Sequence, residues 1–187
     1  MEYLYGASVQ GIQEFVFKTN KLKEIAGASQ LVDNICTSEF RGFCKKQKHT
    51  VEEENIIISA AGNIKYLISN DVCENIVRSF PKHISNYAPG ITVSQAVVKR
   101  TGDLKKDIDD LELKLKAQRN KAEMPVDIGF MGLERARRTG GVAYTFDKEN
   151  KHIDRATDKK ISMPEEDTLR LFKKFKKDIK AKDVAFY

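Results

Sequence analysis

Two spacings of apolar residues alternate along the first hundred positions of the chain. Residues 2–9 and 91–99 are rich in aromatic and β-branched side chains, which is typical of strands. Residues 22–45 instead repeat apolar side chains at helical intervals, which predicts one helix. Residues 55–69 predict two short strands folded back on a tight turn, and a second helix follows, with Asn70 at its start.

The predicted order is therefore strand, helix, strand, strand, helix, strand. This βαββαβ order is typical of the ferredoxin-like fold of the α+β class, a four-stranded antiparallel sheet with both helices on one face. We assign it to a first domain, residues 1–100.

Beyond residue 100 the chain becomes more strongly charged. Residues 103–119 place one apolar stripe on a charged helix, and we expect this helix to pack on its own domain or a neighbouring one. Residues 141–162 predict a hairpin, and the stretch from Pro164 predicts a basic amphipathic helix. We therefore assign residues 101–187 to a helix, a hairpin and a basic C-terminal helix that pack on the first domain or extend it.

The composition indicates a globular protein without a membrane span. The hydrophobic fraction is 41%, and no apolar run is long enough to cross a bilayer. The first ten residues lack the pattern of a signal peptide, so we expect a cytoplasmic protein. The three cysteines, Cys36, Cys44 and Cys73, form no CxxC pair, which favours reduced, buried thiols over a disulfide framework or a zinc site.

The net charge of +6 is compatible with a polyanionic partner. The basic residues of the chain cluster in two places, an arginine group and a lysine-rich stretch near the C-terminus. The arginines could instead pair with acids of the 103–119 helix, and the lysines could form a solvated helix face. Our candidates for contact with nucleic acid or a partner protein are Arg135, Arg137, Arg138, Lys173 and Lys177.

The run IQEFVFKTNKLKEIAGASQLVDNI, residues 12–35, resembles the start of a palm domain in the CRISPR polymerase-like family. That family comprises the large subunits of type III CRISPR effector complexes and related palm-domain proteins. The resemblance extends to the AAGN turn, to PGITVSQAVV and to the RTG and DRATDKK segments. It identifies the chain as the N-terminal palm module of such a protein, either an excised piece or a truncated relative.

The resemblance implies two palm-like modules in a complete protein. One holds metal ions on a GGDD-type hairpin and makes cyclic oligonucleotides from ATP, and the other has lost those acids and supports the first. Several members also carry cysteines that could bind zinc before the active palm, and the matching GFMGLERARRTGG segment has none. We expect no cofactor for this chain, whereas Mg²⁺ and ATP would belong to the complete protein.

The positions that carry the metal-binding acids in an active palm hold none here. The first strand ends in GASVQ and the hairpin tip reads AAGN, although two-metal phosphoryl transfer needs carboxylates at both places. We therefore predict no catalytic residue and no metal site. The small polar residues there remain candidates for nucleotide contact, together with a lysine at the start of the first helix: Ser8, Ala61, Gly62, Asn63 and Lys21.

Simpler interpretations of these residues stay open. Gly62 and Asn63 suit a tight turn whether or not they bind a ligand, and Asn20 could cap the helix near Lys21.

Three hypotheses for function follow. The first is a non-catalytic palm module that pairs with an active palm or with CRISPR effector subunits, with RNA as a further candidate partner. The second is a stand-alone RNA-binding module, for which Tyr3, Tyr5 and Tyr66 are candidate stacking residues. The third, an active cyclase or polymerase, is disfavoured by the missing acids.

Overall fold

The computed structural model describes residues 2–121 and 132–163. The described residues form two compact units. The first, here called the sheet unit, comprises 2–12, 32–87 and 91–121, and the second, here called the ribbon unit, comprises 13–31, 88–90 and 132–163. The predicted division of the chain at residue 100 stays a prediction.

The sheet unit contains the predicted four-stranded antiparallel sheet, with strand order β2-β3-β1-β4. The predicted βαββαβ order and the α+β, ferredoxin-like class are thereby confirmed. The strands are β1 (Glu2–Gln10), β2 (Ile56–Ala60), β3 (Asn63–Ser69) and β4 (Thr92–Lys99). The α-helices before residue 121 are α1 (Ile12–Phe17), α2 (Leu22–Asn34), α3 (Phe40–Lys46), α4 (Asn70–Tyr87) and α5 (Leu104–Arg119).

One face of the sheet packs an aromatic cluster against α3 and α4. The Phe40 ring of α3 stacks on the Tyr5 ring of β1, with centroids 6.0 Å apart. Tyr66 of β3 and Phe80 of α4 meet the same ring edge-on, at 5.8 and 5.5 Å. Because Tyr5 and Tyr66 are fully buried here, they are not available for base stacking, and their assignment as candidate RNA contacts is wrong.

The opposite face of the sheet is covered by α5. Leu111 and Leu115 are buried against Leu4 and two residues of β4. Gly6 permits this approach, because a Cβ built at that position would lie 2.7 Å from Leu111 Cδ2. The predicted stripe on residues 103–119 therefore packs on its own sheet.

The predicted helix over 22–45 is helical throughout but is interrupted by a π-helical turn, Ile35–Glu39, between α2 and α3. Such a turn changes the carbonyl pairing of the helix, and side-chain hydroxyls bind one carbonyl within the turn and one in α2 just before it. Ser59 Oγ of β2 donates to the Cys36 carbonyl at 2.6 Å, and Thr37 Oγ1 donates to the Asp33 carbonyl at 2.9 Å. The Ser59 contact is long-range, so the apolar spacing could not indicate it.

The ribbon unit contains a two-stranded antiparallel ribbon, β5 (Ala143–Phe146) and β6 (His152–Asp154), followed by α6 (Arg155–Ile161). The predicted hairpin over 141–162 is thus too long at its C-terminal end. Asp154 ends the strand and caps α6, because its Oδ1 accepts a hydrogen bond from the Thr157 amide at 2.7 Å. Gly27 of α2 lies against the α6 backbone, where a side chain would have no room.

The Asp154 carboxylate is expected to make the stability of the protein depend on pH. Burial alone would raise its pKa, but hydrogen bonds from the Thr139 hydroxyl and from Thr157 outweigh burial and hold the pKa below its ordinary value. Asp154→Asn should therefore lower the free energy of unfolding by about 2 kcal/mol near pH 7. A carboxylate with a lowered pKa stabilises the fold above its unfolded pKa, and this contribution is lost as pH falls through the folded pKa.

Urea unfolding of both proteins near pH 7 and near pH 3 measures this difference. The gap between wild type and variant should narrow at the lower pH. A gap of equal size at both pH values would contradict the role of the charged carboxylate. Asp110→Asn, at an exposed position on α5, serves as the control and should change the unfolding free energy by less than about 0.5 kcal/mol.

Two further predictions concern the C-terminal helix and membrane spans. The basic helix expected from Pro164, with Lys173 and Lys177, lies outside the described residues. Within the ranges that the structure describes, no helix combines the length and apolar character of a bilayer span.

Candidate functional site

The end of β1 and the β2–β3 turn meet at one corner of the sheet unit. Ser8 is paired with Asn63 in the β1–β3 register, and Ser8 Oγ donates to Asn63 Oδ1 at 3.1 Å. The Val9 amide donates to the Gly62 carbonyl at 2.7 Å, which holds the turn against the strand. Four of the five predicted nucleotide contacts therefore lie together, as expected.

The turn has the backbone geometry that its sequence indicates. Ala61 and Gly62 both have positive φ, +51° and +79°, as in the type I′ turn of a tight hairpin. A Cβ at Gly62 would also lie 2.6 Å from Ile12 Cδ1, so glycine has a packing reason at this position. Ala60 and Ala61 are exposed, which leaves the backbone open to a ligand.

Arg119 joins this corner and was not a candidate from the sequence. It is the last residue of α5, and its guanidinium donates to Ser8 Oγ at 3.2 Å. Ser8 thus accepts from Arg119 and donates to Asn63. The arginine is exposed and pairs with no acid in the described part of the chain, so most of its N–H donors remain available. We call Ser8, Asn63 and Arg119 the strand-end cluster.

The chemistry of the strand-end cluster does not fit a divalent metal ion. Mg²⁺ in phosphoryl-transfer sites is held through carboxylates, whereas this cluster offers neutral oxygens beside a cation. Glu112, an acid of α5, is engaged by Lys65 at 2.6 Å. In the ranges that the structure covers, no three His, Cys, Asp or Glu side chains gather into a metal-binding group. A guanidinium next to a hydroxyl and an amide instead suits an anion.

Lys21, the fifth predicted nucleotide contact, belongs to the ribbon unit. Its carbonyl accepts the amides of Glu24 and Ile25, both at 3.0 Å, so Lys21 and not Asn20 precedes the first helical residue of α2. Its side chain lines a groove of about 470 Å³ with Phe146 of β5. Lys21 and the strand-end cluster therefore belong to different units.

The three arginines predicted as contact residues lie in different environments. Arg138 Nη1 lies 2.8 Å from Oε1 of the buried Glu24, so its acidic partner is in α2 and the suggested pairing with the 103–119 helix is wrong for this residue. Neither Glu24 oxygen has a well-aligned hydrogen bond within the described ranges, so the contact rests on charge. Arg135 donates to the Gly140 carbonyl at 2.9 Å and stays exposed, as does Arg137.

The cysteines contribute no reactive group to the site. All three are free and buried, as the sequence predicted. Burial raises the pKa of Cys36 and of Cys44 to about 12, and it also raises the pKa of Cys73. The thiols are therefore neutral at physiological pH, and neutral thiols are poor nucleophiles.

Part of the fold is shared with known structures at low sequence identity. No family model matches the sequence, and no curated protein matches it significantly. A Csm1–Csm4 cassette in complex with pppApApA covers 63% of this chain at 14% identity and a TM-score of 0.51. The apo cassette matches at 16% identity and 0.47, and the Csm1–Csm4 subcomplex of the type III-A CRISPR-Csm interference complex at 15% and 0.48.

The match with the pppApApA complex concerns the fold of part of this chain. The similarity spans 63% of this chain and 19% of the matched chain in the structure with pppApApA, so the shared part is less than a fifth of that protein. At such low identity the likeness shows a shared fold alone.

Proposed function

We propose that this chain is a non-catalytic palm-like module of a CRISPR-type antiviral nucleotidyltransferase, which supports a catalytic palm and contacts a nucleotide phosphate. One observation carries the proposal, the strand-end cluster, where Arg119 contacts Ser8 at 3.2 Å beside Asn63 and no carboxylate of the described residues bonds to them. The resemblance of residues 12–35 to palm domains and the shared fold support the family assignment.

The cluster can bind phosphate without a metal ion. A guanidinium presents paired N–H donors that match two phosphate oxygens, and one of the Arg119 donors already reaches Ser8. The exposed Ala60 and Ala61 leave room beside it. Mg²⁺ and the catalytic carboxylates would then come from a second palm module, which together with CRISPR effector subunits is the proposed partner.

An RNA-binding role for the sheet itself is not favoured. Sheet-based RNA binders stack bases on aromatic side chains of an open face. Here α5 covers one face with Leu111 and Leu115, and Tyr5 and Tyr66 are buried on the other. The three free cysteines suit a reducing compartment, so we propose the cytoplasm as the location.

Arg119→Gln tests the phosphate contact. We expect the wild-type chain to bind ATP in EDTA, and the variant to bind it at least about tenfold more weakly, because a charged hydrogen-bond donor to phosphate is lost. Isothermal titration calorimetry measures both affinities. Lys106→Gln removes the same charge from the first turn of α5 and should leave the affinity unchanged.

Three results would contradict the proposal. The first is equal ATP affinity of Arg119→Gln and wild type, and the second is ATP binding that requires Mg²⁺. The third is an oligonucleotide product formed from ATP and Mg²⁺ or Mn²⁺ by this chain alone, abolished by Asn63→Ala. Circular dichroism of each variant checks that the fold is retained.

A further inference from the structure

The ribbon unit exposes two aromatic side chains side by side. Tyr144 and Phe146 of β5 are 62% and 54% exposed. They are two residues apart on β5, and exposure alternates along this strand, so both side chains face solvent although the β5–β6 pairing is irregular between Ala143 and Thr145. Burying rings of this size removes much apolar area from water, so an exposed adjacent pair calls for an explanation.

Contacts within the ribbon hold Phe146 in place. Its ring lies 4.3 Å from the His152 ring of β6, centroid to centroid. His152 Nε2 in turn lies 3.0 Å from Glu134 Oε1, which restrains the imidazole. The Phe146 ring is therefore positioned before any ligand arrives, and such preorganisation reduces the entropic cost of binding.

The charges around this pair favour a polyanion. The acids at the ribbon tip are already engaged, because the Asp147 carboxylate accepts two backbone amides and Glu149 pairs with Lys151. The cations are less restricted. Several are exposed and pair with no acidic side chain within the described ranges, namely Arg135, Arg137, Lys148 and Arg155.

We infer that the face of the β5–β6 ribbon bearing Tyr144 and Phe146 binds single-stranded nucleic acid. Unpaired bases present flat π-faces that stack on aromatic rings, while the phosphates between them need cations. The two exposed rings of β5 supply the π-faces. Arg135, which bridges to Val142 just before β5 and gives one donor to the Gly140 carbonyl, and the exposed Arg137 supply the cations. This site lies in the ribbon unit and does not depend on the function proposed for the strand-end cluster.

The predicted site also refines the roles of the arginine group. Arg138 is tied to the buried Glu24 and is assigned a structural role. Arg135 and Arg137 remain exposed and are assigned to phosphate contact.

The double substitution Tyr144→Ala/Phe146→Ala tests the stacking contacts in the full chain. We expect it to weaken binding of a labelled single strand of about twelve nucleotides by at least about tenfold, since each stacked base contributes strongly. Fluorescence anisotropy at about 50 mM salt measures the affinity, with RNA and DNA strands of one sequence to show which sugar is preferred. Phe17→Ala, an aromatic residue of α1 that is 69% exposed, is the matched control and should bind as wild type.

A salt titration separates the phosphate contacts from the stacking contacts. Arg137→Gln should reduce the slope of log affinity against log salt by about 1, whereas the double variant should keep the wild-type slope. Circular dichroism confirms that the variants fold, as expected for exposed positions.

Several outcomes would overturn the inference. These are no detectable binding of either strand at low salt, unchanged affinity of the double variant, and equal affinity for single- and double-stranded RNA. A further one is a change of oligomeric state in the double variant, seen by sedimentation, with nucleic-acid affinity unaltered. That result would assign the aromatic pair to a protein interface instead.

Discussion

Replacing Gly27 with alanine is expected to lower the free energy of unfolding by about 3 kcal/mol. A Cβ at this position would lie 2.1 Å from the Lys160 carbonyl oxygen and 2.9 Å from its carbonyl carbon. Both atoms belong to the backbone of α6, so a side-chain rotation cannot relieve the overlap. The Lys160 side chain also anchors α6, because its ammonium donates to the Phe15 carbonyl and lies 4.1 Å from the centre of the Phe15 ring.

Urea unfolding followed by circular dichroism measures this effect. Gly42→Ala in α3 is the matched control, since a Cβ there would meet no atom within 4 Å. Alanine is the better helix former, so that variant should be more stable by about 0.5 to 1 kcal/mol. If Gly27→Ala were as stable as Gly42→Ala, the close approach of α2 and α6 would be wrong.

Replacing Phe40 with alanine is expected to cost about 3 to 5 kcal/mol. The side chain is 2% exposed and lies at the centre of the aromatic cluster, against Tyr5, Tyr66 and Phe80. Alanine would remove the ring that all three partners contact. The resulting cavity would be bordered by large rings that cannot easily collapse into it, so both the lost burial and the cavity contribute.

The comparison with an exposed phenylalanine makes this measurement specific. Phe17→Ala removes the same ring from a position that is 69% exposed and should change stability by less than about 0.5 kcal/mol. Phe40→Leu should fall between the two, because leucine refills part of the space. Similar unfolding free energies for Phe40→Ala and Phe17→Ala would show that α3 does not pack on the sheet in this way.

The stability of the fold thus depends on two kinds of contact, one that can be predicted from the sequence and one that cannot. Phe40 belongs to a periodic apolar series, so its burial in a helix–sheet core could be predicted. The partner of Gly27 is the backbone of a residue more than a hundred positions away, and no local pattern identifies it.

The candidate site also has one part that could be predicted from the sequence and one part that could not. Ser8 and Asn63 lie together because β1 and β3 are neighbours in a ferredoxin-like sheet, and that order follows from the predicted elements. Arg119 is 111 residues from Ser8 in the chain. Its contribution depends on the direction in which α5 crosses the sheet. The stripe of apolar residues on α5 indicates which face packs on the sheet but not the direction of the crossing.

The exposure of aromatic side chains on strands could not be predicted from the sequence. Tyr5 and Tyr66 have strand-like positions, and their alternation is compatible with either face of a sheet. They lie on the face that α3 and α4 cover, whereas Tyr144 and Phe146 lie exposed on a ribbon. The pattern VAYTF indicates a strand, but it does not indicate whether the aromatic side chains of that strand are buried or exposed.

The sequence by itself determined the order of the strands and helices, the tight turn at Ala61-Gly62 and the lack of carboxylates at the strand end. These depend on short-range periodicity, backbone preference and residue identity. Only the tertiary structure decided that α5 covers the second sheet face, that Arg119 meets Ser8 and that the aromatic pair of β5 faces outward. Those features arise from packing between residues distant in sequence, where many partners are locally equivalent and the folded arrangement selects one.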